Sequence, residues 1–302
     1  RASNGVIIIT TKKGKEGKVQ IGYNGNFSVS SPIDYVDVLS GDEYRDMVTD
    51  LYLQEYSGIN DDAVALLGNE NTDWQKQIYR DAFSHDHNVT VSGSTKNLPY
   101  RVSYGYTDQV GILKNTDSKR HSLNINVNPT LLNGDLTVNA SLKGSFAKEN
   151  FGNEGAVGAA IAFDPTQPIR SSDPAYAPFG GYYAWLADNG QPITIATANP
   201  VALIEQTDNR SEVSRLIGTL KVDYQIPFLE GLKATVNAGF DISESDGYNY
   251  APPSAAWSSG GPGSKNDYTA ENRNELLDIY LNYNRQVGKH KFDVTGGYSY
   301  QH

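Results

Sequence analysis

The stretch Leu216-Ile217-Gly218-Thr219-Leu220-Lys221-Val222-Asp223-Tyr224-Gln225-Ile226-Pro227-Phe228-Leu229-Glu230-Gly231-Leu232-Lys233-Ala234-Thr235-Val236-Asn237-Ala238-Gly239-Phe240-Asp241-Ile242 reads as two strands around one tight turn. Successive side chains of a strand point to opposite faces. Leu216, Gly218, Leu220, Val222, Tyr224 and Ile226 therefore share a face, as do Leu232, Ala234, Val236, Ala238, Phe240 and Ile242. Lys221, Asp223, Lys233 and Asp241 fall on the other face. One side of this hairpin is uncharged and its opposite side is wet.

The same alternation extends in both directions. Val19, Ile21, Tyr23, Gly25, Phe27 and Val29 start it, and Val89, Val91 and Gly93 resume it. Tyr100, Val102, Tyr104 and Tyr106 follow, then Leu123, Ile125 and Val127, then Leu136 to Phe146 at every second position. Leu277, Ile279, Leu281 and Tyr283 pair in pattern with Phe292, Val294, Gly296, Tyr298 and Tyr300. No charged residue interrupts these registers. A lipid-facing strand needs that segregation, because a mid-strand Lys or Arg there costs roughly 2–4 kcal/mol. A soluble sandwich needs it too, with the apolar face as its core.

Connection lengths separate the two. Lys96-Asn97-Leu98-Pro99, Leu132-Asn133-Gly134-Asp135, Phe228-Leu229-Glu230-Gly231 and Val287-Gly288-Lys289 are tight turns. Between them lie long connections at 40–82, 109–119, 149–211 and 243–272. Short and long alternate, so every tight turn falls at one end of the sheet, as in outer-membrane barrels. The strands also reach the roughly 9–11 residues that cross a bilayer at a tilt. Phe27, Tyr106, Phe146, Tyr224, Phe240, Tyr283 and Tyr300 sit towards strand ends, where interface girdles belong. The expected fold is all-β, a partial transmembrane antiparallel β-barrel of about nine strands.

The first long connection reads as helical. Ser40 and Glu43 have capping-box spacing ahead of Tyr44, Met47, Val48 and Leu51. A second helix is predicted over 62–67, and a third near Thr72, where Thr72 and Gln75 repeat the capping spacing. Ala156 to Phe163, small and apolar, suggests a further loop helix packing on the barrel or on a lid protein.

Composition narrows the function classes. The 302 residues carry 25 Lys and Arg against 35 Asp and Glu, a formal charge of −10, which argues against a nucleic-acid partner. Mean hydropathy is −0.50 and no apolar run approaches the roughly 20 residues of a spanning helix. Cysteine is absent, excluding disulfides and thiolate metal sites. The 20 Tyr against 9 Phe and 3 Trp favour half-wet positions such as strand surfaces and sugar-binding faces. The chain opens at Arg1 without a signal-peptide pattern and is expected to be a mature product or a piece of something longer.

Catalytic and metal motifs are sparse along the chain. His85-x-His87 puts two imidazoles on one strand face, a metal pair or, more simply, a polar strand entry at an interface. Asn69, Asn71 and Asp73 imitate a calcium loop, but Trp74 stands where Gly is needed and Arg80 where Glu is needed. Gly260-Gly261-Pro262-Gly263-Ser264-Lys265 lacks the order of a phosphate-binding loop, and no G-x-S-x-G elbow is present. No enzyme, cofactor or metal is expected. Two loops offer flat aromatic faces for a ligand: Phe179-Gly180-Gly181-Tyr182-Tyr183-Ala184-Trp185, with Tyr182, Tyr183 and Trp185 as candidates, and the loop carrying Trp257. The plainer reading is that these rings pack the long loop against its neighbours.

The opening Arg1-Ala2-Ser3-Asn4-Gly5-Val6-Ile7-Ile8-Ile9-Thr10-Thr11-Lys12-Lys13-Gly14 resembles the end of the plug domain in SusC/RagA-type TonB-dependent outer-membrane transporters. Asn71-Thr72-Asp73-Trp74, His87-Asn88-Val89-Thr90-Val91-Ser92-Gly93-Ser94 and the turn Pro227-Phe228-Leu229-Glu230-Gly231-Leu232 look similar too. The resemblance implies a barrel of about 22 strands around an N-terminal plug. Residues 1–16 would end the plug, and 17–302 would form the N-terminal part of the barrel, beginning outward from the periplasm. It further implies location in a Bacteroidota-type outer membrane and a SusD-like surface lipoprotein as lid. Glycan or oligopeptide import would be energised by the TonB complex, through a segment outside this sequence. A secreted, soluble carbohydrate-binding β module is the alternative, and it requires Val19, Ile21, Leu220, Val236 and their register-mates to form a closed core. A barrel enzyme of lipase or protease type would need a nucleophile constellation, and none was found.

Overall fold

The computed structural model describes residues 17–55, 61–258 and 263–302; the expected plug terminus at 1–16 lies outside the described residues. In chain order the elements are β1 (Gln20–Ser30), α1 (Gly41–Glu55), α2 (Asp61–Ala65), α3 (Trp74–Ile78), β2 (Ala82–Thr95), β3 (Leu98–Val110), β4 (Asp117–Val127) and β5 (Thr130–Leu131). There follow β6 (Leu136–Asn150), α4 (Gly155–Ala162), α5 (Pro200–Glu205), β7 (Asp208–Gln225), β8 (Leu232–Ala251), β9 (Ser264–Val287) and β10 (His290–Gln301). Nine strands form one antiparallel path, β1-β2-β3-β4-β6-β7-β8-β9-β10, and the two-residue β5 pairs with β6 off that path. The sheet is an open piece of barrel wall with β1 and β10 as its edges.

Pairing register places the alternating apolar positions of all these strands on one face. One row runs Gly93, Tyr100, Val127, Ala140, Leu220, Ala238, Leu277, Tyr300 across consecutive strands without a charge. This face is not a core: Ile21 is 76% exposed and Leu220 43% exposed. The closed core that a soluble module requires is therefore not formed. Nearer the long loops the same face changes character. The row Tyr106, His121, Phe146, Ser214, Glu244 is aromatic and half-polar and acquires its first charge at Glu244, with Tyr104 Oη and His121 Nδ1 2.7 Å apart beside it. The next row is charged: Asp108, Lys119, Lys148, Glu212, Asp246. An apolar band ending in an aromatic belt and then in ions is what a membrane-spanning wall presents to lipid and headgroups. His85 and His87 belong to this belt, their rings 5.1 Å apart and among Phe27 and Tyr106. Among the described residues no cluster of three metal-ligating side chains occurs.

The opposite face is polar and cross-linked. Arg215 forks onto Asp241 with 2.8 and 2.5 Å bonds, and Thr235 donates to Asp223 at 2.7 Å. Asp278 accepts from Asn237 at 3.2 Å and from Ser299 at 2.6 Å.

Tight turns join β2–β3, β7–β8 and β9–β10. In the last, Gly288 adopts φ 62°, the left-handed value that a two-residue hairpin loop needs and that glycine supplies without strain. At the other end the strands run further than their apolar pattern. The long connection read at 243–272 is in fact paired strand up to Ala251 and from Ser264, register Ser243 with Asn272 through Ala251 with Ser264. Likewise β7 starts at Asp208, inside the stretch read as a loop to residue 211. Both faces of these extensions meet water, so the alternation disappears while the backbone ladder continues. Periodicity reports burial or lipid contact, not hydrogen bonding.

The first four helices lie where expected, with one cap reassigned, while α5 falls inside the stretch read as a long connection at 149–211. Ser40 and Glu43 form the reciprocal box: Ser40 N–H donates to Glu43 Oε2 at 2.9 Å and Glu43 N–H to Ser40 Oγ at 3.3 Å. At α3 the cap is Asp73, whose Oδ1 accepts from Lys76 N–H at 3.1 Å. Thr72 is occupied elsewhere, donating its hydroxyl to Gln167 O at 2.7 Å.

Candidate functional site

The hydrophobic core of the chain sits in the long loops, not in the sheet. Trp74 and Ile78 of α3, Ala156, Ala159 and Ala160 of α4, Phe163, and Val201 to Ile204 of α5 form one buried cluster. The apolar face of the sheet packs against no other part of the chain, and the loops bury apolar surface among themselves. Four connections are thereby fused into one cap. The β1–β2 insertion is laced to residues 164–167 by Trp74 Nε1–H to Asp164 O (3.0 Å), Glu70 N–H to Thr166 O (2.9 Å) and Gln167 Nε2–H to Leu66 O (2.8 Å). The β3–β4 loop joins through Lys114 N–H to Ile78 O at 2.9 Å and Asn115 Nδ2–H to Thr207 O at 3.0 Å. Gln206 binds the last loop, its Nε2 donating to Phe179 O at 3.2 Å and to Ser254 O at 3.0 Å.

All four candidate ligand residues line one cavity of about 100 Å³ within this cap. Tyr182, Tyr183 and Trp185 come from the β6–β7 loop and Trp257 from the β8–β9 loop, with Thr194, Thr197 and Asn199 supplying polar walls. Tyr182 is 5% exposed, and its hydroxyl donates to Glu205 and accepts from Arg170 Nη2. Arg170 also pairs with Glu205 at 3.0 Å and lies 4.1 Å from the Tyr182 ring centroid. Burial, reinforced by the Glu205 carboxylate, pushes the Tyr182 hydroxyl up to about 12. Burial also raises Tyr183, with Tyr176 and Asp164 adding to the shift.

The remaining aromatics form a stack. Tyr183 meets Trp185 edge-on at 5.4 Å and Tyr176 at 5.1 Å, and Phe163 joins both sides by packing on Trp74 at 4.8 Å. Much of this aromatic surface is engaged in packing within the cap. Trp257 packs against the same core, but its buried Nε1–H has no hydrogen-bond partner among the described residues. A buried indole donor left unpaired costs free energy until something accepts from it.

Two further residues, Asn199 in the cavity wall and Gln206 between the loops, hold this region together. Asn199 caps α5, its Oδ1 accepting from Val201 and Ala202 N–H, while its Nδ2 donates to Ile169 O at 2.9 Å and Tyr183 O at 3.1 Å. The Asn199-Pro200 dipeptide carried that signal, since Asn at the cap and Pro at the first helical position mark a helix start. Gln206 had no such local signal.

A TonB-dependent receptor, SusC from Bacteroides thetaiotaomicron, is 36% identical across 100% of this chain. The chain belongs to the SusC/RagA-type TonB-dependent transporters. A TonB-dependent receptor, P3, from Formosa agariphila is 27% identical, again across 100% of the chain. This SusC/RagA-type chain spans 30% of the first of these relatives and 29% of the second. Its fold matches the solved RagAB peptide transporter with TM-score 0.72 at 20% identity, covering 100% of this chain and 36% of that one. The RagAB peptide importer in its closed-closed state matches at TM-score 0.70 over the same shares of both chains. No protein-family model matches.

Proposed function

We propose that the protein carrying this chain imports a nutrient across the outer membrane, with this chain as barrel wall and external cap. A SusD-like surface lipoprotein acts as lid, and the TonB complex supplies the energy through parts of the protein beyond this sequence. The observation that carries the reading is the register: an uncharged band crosses the strands, ends in an aromatic belt and gives way to ions at the level where the long loops fuse. Tyr182, Tyr183, Trp185 and Trp257 form a ligand cavity in that cap. In this role Tyr182 holds the wall, while the Trp257 donor and the neighbouring ring faces meet an oligosaccharide or, alternatively, an oligopeptide. The chemistry is binding and gated passage, and residues 1–16 contribute the last segment of the plug.

The test uses the complete transporter, expressed in a strain deleted for it. Uptake of a labelled oligosaccharide mixture and of a peptide mixture is followed with and without TonB. Import that depends on both the transporter and TonB supports the reading, and import indifferent to either overturns it. Trp257→Ala at unchanged surface abundance should lower uptake of one class only. Equal uptake by the variant and the parent would remove the cavity from the proposal while leaving the importer intact.

A further inference from the structure

The β1–β2 connection differs from the rest of the chain in charge. Residues 31–81 hold 12 Asp and Glu against 3 Lys and Arg, so this one insertion carries nearly all of the formal charge of −10. It also leaves apolar side chains bare. Between β1 and α1, Ile33 is fully exposed and Val36 and Val38 are half exposed. They follow Ser30, past the aromatic belt, so lipid does not account for them. Apolar surface gathered outside the membrane marks a contact with another segment or another protein.

One side of this segment is fastened. Buried Gln75 clasps the Val36 backbone twice, its Oε1 accepting from Val36 N–H at 2.9 Å and its Nε2 donating to Val36 O at 2.7 Å. Tyr35 packs near Tyr79, ring centroids 6.1 Å apart. Gln75 and Tyr79 lead into β2, so the fastened side is the β2 side. A groove of about 940 Å³ lies between residues 35–40, 71–76 and 160–165. Trp74 and Phe163 give it aromatic wall, and Asp37, Glu43, Asp73 and Asp164 give it carboxylates. The single cation among its described lining residues, Lys76, is held by Asp73 at 2.8 Å. The groove therefore suits an occupant that is both apolar and basic.

The sheet says which segment arrives there. β1 pairs with β2 on one edge and with nothing on the other. A sheet that spans a bilayer leaves no edge unpaired, so a strand from beyond this sequence closes on β1. Along the main path each strand pairs with its neighbours in sequence. The same order carried round a barrel brings the last strand of the chain to the first. That strand runs antiparallel to β1, so the external loop leading into it ends beside Ser30, next to the bare residues. We propose that this last external loop of the complete transporter fills the groove, setting Lys or Arg side chains against Asp37 and apolar ones against Val36 and Val38. The contact ties the fused cap to the far end of the chain. It rests on the reading above that residues 1–16 end the plug, which makes β1 the first strand.

The test puts the photo-crosslinking residue p-benzoylphenylalanine in place of Val38 in the complete transporter, in cells that also make its surface lipoprotein, and maps the cross-linked peptides by mass spectrometry. The expected product joins position 38 to the connection between the last two strands of the same chain. Asp37→Lys should lower its yield severalfold at unchanged surface abundance, because like charges then face each other. A cross-link to the lipoprotein or to another external loop overturns the proposal, as does an unchanged yield in Asp37→Lys. So does a yield no higher than from the same photo-reactive residue at Phe228, an exposed position in a turn at the opposite end of the sheet. A cross-link to a segment preceding Arg1 overturns it together with the plug reading of residues 1–16. Import indifferent to TonB would overturn the importer reading and leave this contact standing.

Discussion

The ring of Phe240 occupies the space that a side chain at residue 218, its register partner across β7 and β8, would need. The same relationship joins Tyr268 to Gly247 and Tyr100 to Gly93, each aromatic directly opposite its glycine. An aromatic folded over a facing glycine covers bare backbone and pins register, since a slip by one residue moves the ring to the other face.

Gly218→Ala places a Cβ inside the Phe240 ring and should therefore destabilise the assembled barrel. The expected cost is about 1–3 kcal/mol, typical of overpacking. Gly144→Ala, where a methyl fits, should be close to neutral. Heat-modifiable gel migration of the complete transporter against temperature measures both, and equal effects would refute the ring-over-glycine account.

Asp73 should govern the acid sensitivity of the β1–β2 insertion. Burial opposes its charge, yet its bonds to Lys76 outweigh that and hold its carboxyl below the ordinary value of 3.8. A carboxylate lowered on folding stabilises the fold above its unfolded value, and that contribution is lost as pH falls through the lowered one. Asp73→Ala should cost about 1 kcal/mol at neutral pH, the usual cost of losing a helix cap, and flatten this acid dependence. Limited proteolysis of residues 61–80 across pH 2–6 reports it.

Tyr182 and Tyr183 should make the cap sensitive to alkali. Both hydroxyls are harder to ionise folded than free, Tyr182 titrating at about 12 against an ordinary 10.0. The Tyr182 contribution is whole below pH 10 and is lost as pH rises through about 12, and that of Tyr183 is lost in the same direction at still higher pH. Absorbance at the tyrosinate wavelength should show late-titrating groups in the parent and one fewer in Tyr182→Phe. That variant also removes the hydroxyl shared by Arg170 and Glu205, at a cost of no more than about 1 kcal/mol, because both side chains are half exposed and keep their ion pair.

Gln206 should couple two loops that are far apart in sequence. Its one amide nitrogen serves both Phe179 O and Ser254 O. Gln206→Ala should increase protease cleavage between residues 252 and 263 severalfold without altering barrel assembly. Unchanged cleavage would show that packing alone holds the loop.

Arg215→Gln should change little. The Arg215–Asp241 pair is well formed, but the Arg215 side chain is half exposed, and such pairs contribute about 0–1 kcal/mol.

The sheet was legible in the chain because its alternation answers to a simple physical contrast: each strand has an apolar side and a polar side, and residues segregate at period two. Leu216 to Ile242 alone determined a hairpin, its register and its uncharged face, and the run of short and long connections determined which end carries the loops. The Ser40–Glu43 box was equally local, because a cap is made by residues three apart. Where both faces meet water, as in β8 and β9 beyond Ser243 and Asn272, residue type no longer reflects pairing, and only the backbone ladder decided how far the strands extend. The cap was a tertiary decision throughout. Tyr182 and Trp257 stand in different loops, and Asn199 and Gln206 act on carbonyls up to 48 residues away. Their meeting follows from the sheet holding the loop ends side by side, after which the loops bury the apolar side chains that neither sheet face could accept.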